Sequence, residues 1–215
     1  GLQSNVATLF VFVTAVNDAP RLDNEFVSTP EETAVSGDIL DAGDTDVDGD
    51  MTINLTPAKD PENGTFSIDA NGDYTYTPNA EFNGEDTVVI EVCDNGQPLP
   101  SKCTNDTIFI TVTPVNDLPV ANNDSGVTDE DTQVTISITD NDTDVDGVID
   151  TTTIDLNVAL GGIQNSRNTA EGFYEALPNG DLRFTPAEDF CGTTTALSYR
   201  VRDNDGGLSN TATIT

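Results

Sequence analysis

Two short runs hold the residues with which this chain could do chemistry. "DTDVDGD" occupies residues 44–50 and "DTDVDG" residues 142–147. Carboxylates set that close repel one another, and a bound cation would remove the repulsion. The chain has no histidine and its three cysteines form no CxxC pair, which excludes a zinc site. Oxygen donors alone suit a hard cation; Ca2+ takes six to eight oxygens in flexible geometry. Each run supplies positions 1, 3, 5 and the Gly at 6 of an EF-hand loop, but position 12 falls on Leu55 or Thr153 instead of a bidentate Glu. No flanking stretch has a helical period, so an EF-hand is excluded.

Other acidic and amide residues recur with these runs: "VND" at 16–18 and 115–117, "CDN" at 93–95, "RDN" at 202–204, and Glu31 and Glu130. The whole chain carries 39 acidic against 7 basic residues, a net charge of −32, which repels nucleic acid and anionic membranes and invites cations. No apolar run approaches the ~18 residues that span a bilayer. No Ser or Cys stands beside a plausible base. Carboxylate pairs that occur twice at module ends suit linkage better than one catalytic cleft, so the reading is not an enzyme.

The elements that must position these residues are legible as a repeat. "AVNDAP" at 15–20 matches "PVNDLP" at 114–119, "NGDYTYTP" at 71–78 matches "NGDLRFTP" at 179–186, and "EFNG" at 81–84 matches "DFCG" at 189–192. The order is kept, and the offset grows only around 148–172, where the second copy carries extra residues. The first copy shows short β-type runs at 24–29, 34–40, 51–56, 64–69, 72–77, 86–93 and 104–113, bounded by Gly, Pro, Asn and Asp. Val88, Ile90 and Val92 share one face, as do Ile108, Ile110 and Val112. "ANGD" and "PNGD" are read as hairpin turns with positive φ at both central residues. The expectation is all-β: two tandem seven-stranded Greek-key sandwiches joined by a short linker, repeat 1 over 16–115 and repeat 2 over 116–215. Residues 1–15 read as the last strand of a preceding repeat, and repeat 2 stops partway through its own last strand. Residue 1 is no natural start, so the chain reads as an excised segment.

The stretch "VCDNGQPLPSKCTNDTIFITVTPVNDLP" (92–119) resembles the end of a cadherin repeat, "TPEET" its P-E-N region and "DTD" its D-A-D. The set "EDT", "NDTDVDG", "NGDYTYTP", "FNG" and "PVNDxP" is similar to bacterial cadherin-like (VCBS-type) repeats of large surface adhesins. The resemblance implies an immunoglobulin/cadherin-like sandwich with Ca2+ where successive repeats meet. At the complete junction it assigns Glu31, Asn116, Asp117, Asp142, Asp144 and Asp203. At the N-terminal junction it assigns Asn17, Asp18, Asp44, Asp46 and Asp94. Glu81, Asp48 and Asp146 are weaker candidates. The linkers lack the second Asn of the vertebrate pattern.

Cys93 and Cys103 flank a hairpin, at a separation a disulfide can bridge. The alternative is two small buried hydrophobes, and the bridge is favoured in an extracytoplasmic protein. Cys191 replaces Asn83, and the counterpart of Cys93 is Arg202, so Cys191 is expected to be free. The functional expectation is a set of calcium-binding extender or adhesion repeats on a bacterial cell surface or secreted protein, with neighbouring repeats as partners. The second reading is a glycan- or protein-binding module, with region 148–172 as its surface. A third is self-association of copies, for which no Trp anchor is present.

Overall fold

The computed structural model describes residue 1 and residues 3–215. The chain folds as two units, Gly1–Pro114 and Val115–Thr215. The first contains β1 (Glu25–Pro30), β2 (Val35–Asp38), β3 (Met51–Ile53), β4 (Gly64–Ile68), β5 (Asp73–Pro78), β6 (Gly84–Asp94) and β7 (Cys103–Thr113). They form two sheets, ordered β1-β7-β6-β3 and β2-β5-β4. The period-2 pattern drives the packing. β6 turns Val88, Ile90 and Val92 inward and β7 turns Ile108, Ile110 and Val112, all fully or almost fully buried against Ile39, Tyr74 and Tyr76. β1 runs parallel to β7 through six registered pairs, Glu25 with Ile108 to Pro30 with Thr113. Pro30 closes that strand, as an edge position allows.

The second unit contains β8 (Val134–Ser137), β9 (Ile149–Asp155), β10 (Ser166–Asn168), β11 (Gly172–Ala176), β12 (Asp181–Pro186), β13 (Leu197–Asp203) and β14 (Ala212–Ile214). Its sheets are ordered β10-β11-β12-β8 and β14-β13-β9. Seven strands are present, but they are not the seven of the first unit. The counterpart of β1 starts the same parallel pairing at Asp124 with Ile214, and the extra residues near 148–172 lengthen β9 and add β10 as a sheet edge. The core is Ile138, Ile154, Leu156, Leu182, Tyr199 and Val201, with Tyr174 stacked on Phe184.

Two sequence expectations change. In both Asn-Gly turns only the glycine is left-handed, Gly72 at φ 105° and Gly180 at φ 92°. A wider loop, closed by Gly72 N–H to Asp69 O and Asp69 N–H to Asp73 O, removes the need for positive φ at Asn71. Residues 3–15, expected to form a strand, form none, and Leu9, Phe10, Val11, Phe12 and Val13 are exposed. Among the described residues no helix is long and apolar enough to cross a membrane.

Candidate metal centre

In the first unit, carboxylates gather where the chain leads into the sandwich. Asn17 and Asp18 precede β1, Asp46 and Asp48 lie in the loop between β2 and β3, and Asp94 closes β6. The Asn17 amide donates to Asp94 Oδ2 at 2.8 Å and to Pro100 O at 2.9 Å. Asp18 N–H donates to Asp48 Oδ2 at 2.6 Å. Asp46 Oδ1 accepts the N–H groups of Asp48 and Gly49 at 2.7 and 3.2 Å, an Asx-type turn that fixes its carboxylate. Asn17 and Asp94 are each only 3% exposed.

The second unit repeats the arrangement. Asn116 donates to Asp203 Oδ2 at 3.0 Å, and Asp117 N–H lies 3.3 Å from both oxygens of Asp146. Asp203 Oδ1 accepts the N–H groups of Asp205 and Gly207 at 2.9 and 2.8 Å. A Cβ on Gly147 would meet Asp144 Oδ2 at 2.6 Å and Asn204 Oδ1 at 2.7 Å, so the loop closes this tightly only around a glycine.

The carboxylates divide into two kinds. Burial pushes Asp94 up, but N–H donors from Lys102 and Gly96, the Asn17 amide and the Lys102 charge outweigh it and hold the group below the usual carboxylate range. The Asn116 amide, then the N–H groups of Gly207, Asp205 and Gly206, hold Asp203 low as well, against its burial. Asp144 moves the other way: burial, then the charges of Asp146 and Asp203, push it up. Both oxygens of Asp144, with Asp46 Oδ2 and Asn17 Oδ1, are buried without a hydrogen-bond partner. Oxygen atoms desolvated and left unpaired beside anchored carboxylates are what a hard cation satisfies. The donor set therefore fits Ca2+ in both units.

The run at 44–50 contains three D-x-D pairs and that at 142–147 two, and in each the second pair, Asp46 with Asp48 and Asp144 with Asp146, stands here. Asp48 and Asp146, the weaker candidates by family pattern, lie beside Asp18 and Asp117. Asp44 and Asp142 turn into the sandwich instead. Asp44 accepts the N–H groups of Asp23 and Asp41 at 3.0 and 3.1 Å. Asp142 accepts the N–H of Asn122 at 2.7 Å and the Tyr199 hydroxyl at 3.1 Å. Glu31 and Glu81 are at the other end of the first unit. Glu31 is 6% exposed, and its N–H donates to Thr113 O at the end of β7. Glu81 is exposed at φ 59° in the turn before β6. Cys93 and Cys103 are bonded across β6 and β7, and Cys191 is free and exposed.

Residues 17–113 match the model of the bacterial Ig domain and residues 116–215 that of the bacterial cadherin-like domain. Among solved structures the chain is similar to human CDH23 EC21-23 (15% identity, 93% of this chain and 65% of that one, TM-score 0.53). It is similar also to mouse Cadherin-23 EC22-24 (15% identity, 92% and 63%, TM-score 0.52). Drosophila N-cadherin EC1-4 gives 13% identity over 90% of this chain and 48% of that one, with a TM-score of 0.50. The chain thus spans less than two thirds of each, and at these identities the likeness is one of fold. None of the curated proteins compared with the chain matches it.

Proposed function

The chain is a bacterial Ig domain followed by a bacterial cadherin-like domain, and from that premise we propose that it is a non-catalytic, calcium-binding extender of a bacterial surface or secreted protein. Ca2+ binds where consecutive domains follow one another along the chain. At the leading end of the second unit the ligands are Asn116, Asp117, Asp144, Asp146 and Asp203. The leading end of the first unit offers the parallel set Asn17, Asp18, Asp46, Asp48 and Asp94.

The observation that carries this reading is the orphaned oxygens: Asp46 Oδ2 and both oxygens of Asp144 are buried and unpaired at matching positions of two units. The cross-strand disulfide is in keeping with an oxidising, extracytoplasmic setting. Affinities of about 0.1–1 mM, usual for extracellular modules, would tie stiffness to the calcium of the medium.

Small-angle scattering of the full chain tests it. Ca2+ at several millimolar is expected to narrow the distribution of maximum dimensions relative to EDTA, Mg2+ is expected to do little, and Asp144→Asn is expected to remove the response. A distribution indifferent to EDTA would sink the proposal.

A further inference from the structure

A second group of carboxylates in the first unit is not at its leading end at all. Asp106 sits on β7 on the same inward face as Ile108 and Ile110, and it is 0% exposed. Its Oδ1 takes only the N–H of Thr107, and its Oδ2 has no partner. Oxygens of Glu25, Asp44 and Asp106 lie within 4.8 Å of one another, as do oxygens of Asp23, Asp41 and Asp44. Among the described residues these are the two all-carboxylate groups that approach so closely, and Asp44 belongs to both. The ion pairs formed by described residues are Lys59 with Glu62 and Arg183 with Glu175, so no lysine or arginine neutralises the group. Buried carboxylates without a counter-charge are costly. Oxygens bound to one Ca2+ at 2.3–2.6 Å can be at most about 5 Å apart, the spacing found here.

The second unit shows the same place built differently. Ile90 pairs with Asp106 across β6 and β7, and Tyr199 pairs with Ala212 across β13 and β14. Asp124 and Asp142 stand where Glu25 and Asp44 stand, but the carboxylate of Asp106 is gone and a tyrosine hydroxyl has arrived from the neighbouring strand. That hydroxyl lies 2.8–3.2 Å from Ile138 O, Asn122 O and both oxygens of Asp142. The Asn141 amide, where the first unit has Gly43, donates to Asp124 Oδ1 at 3.1 Å. Neutral donors serve both oxygens of Asp142 and one oxygen of Asp124 in the second unit, where Asp124 Oδ2 is left unpaired; five carboxylates share the place in the first.

From this contrast we infer that the first unit holds its own divalent cation inside the sandwich wall, ligated by Glu25, Asp44 and Asp106, with Asp23 and Asp41 at its mouth. The site is independent of the domain junctions, and the second unit has no equivalent. Its chemistry is that of a hard, oxygen-seeking ion, and three carboxylates around one centre favour Ca2+ over a monovalent ion.

The test uses the full chain with Asp46→Asn and Asp144→Asn, which disables the leading ends and separates failure of the junction reading from failure of this one. Bound Ca2+ is counted by equilibrium dialysis against calcium alone, with Mg2+ as competitor. One Ca2+ per chain is expected to remain and to be lost when Asp106→Asn is added. Ile90→Tyr combined with Asp106→Ala copies the arrangement with which the second unit folds. It is expected to lose the ion too, and to melt at the same temperature in EDTA and in Ca2+. No ion in the chain with disabled ends, or an ion that survives both changes at position 106, would overturn the inference.

Discussion

Asp86 shows how a buried carboxylate is accommodated when donors are supplied. It faces inward from β6, 5% exposed, and accepts the N–H groups of Glu62, Asn63 and Thr87 and the Tyr76 hydroxyl. Burial pushes its carboxyl up, but these four donors outweigh it and hold it below its ordinary value. A folded-state pKa below the unfolded ~3.9 means that the contribution is present above that pH and is lost as pH falls through the folded value. Asp86→Asn should therefore lower the stability of the first unit by about 1–3 kcal/mol at pH 7. The gap from wild type should close below pH ~4 in urea titrations at stepped pH. In the second unit Tyr199→Phe removes the hydroxyl that serves Asp142 and two buried carbonyls. It should cost about 1–3 kcal/mol and move only the second unit's melting transition in calorimetry.

At the scale of elements, alternation within β6 and β7 is read directly from the chain, because period 2 with one buried face leaves no choice of register. The same alternation carries information that a search for strands passes over. Asp86 and Asp94 lie on the Val88 face, and Asp106 on the Ile108 face, so the spacing alone puts charges at core-facing positions. What the sequence leaves open is which D-x-D pair of each run faces the leading end. That choice is made by the Asx turn at Asp46 and by backbone donors from a loop distant in sequence, at Asp23 and Asn122. Cys93 and Cys103 join the long β6–β7 hairpin of the first unit. Reduction should lower that unit's stability by about 2–3 kcal/mol in the chain-entropy model. The second unit's transition, followed in the same calorimetric scan, should stay in place.

For the whole molecule, the balance of −32 sets how it responds to its medium. In EDTA, raising NaCl to about 0.5 M should raise both melting midpoints by screening carboxylate repulsion. Ca2+ at a few millimolar should raise them further than NaCl of equal ionic strength, because site binding adds about 1.4 kcal/mol per site at ten times Kd. Equal shifts from the two salts would leave only general screening.

The parallel pairing of β1 with β7 has a mechanical consequence. The chain enters the first unit at the Glu25 end of β1 and leaves it at the Thr113 end of β7, and the two strands point the same way. Tension on the two termini therefore slides one strand along the other and loads the six registered positions together instead of unzipping them one by one. The first unit should behave as a shear clamp, yielding abruptly at a force out of proportion to its thermal stability. Replacing Val27 by Pro, which interrupts that ladder, should lower the rupture force in single-molecule pulling far more than it lowers the melting temperature.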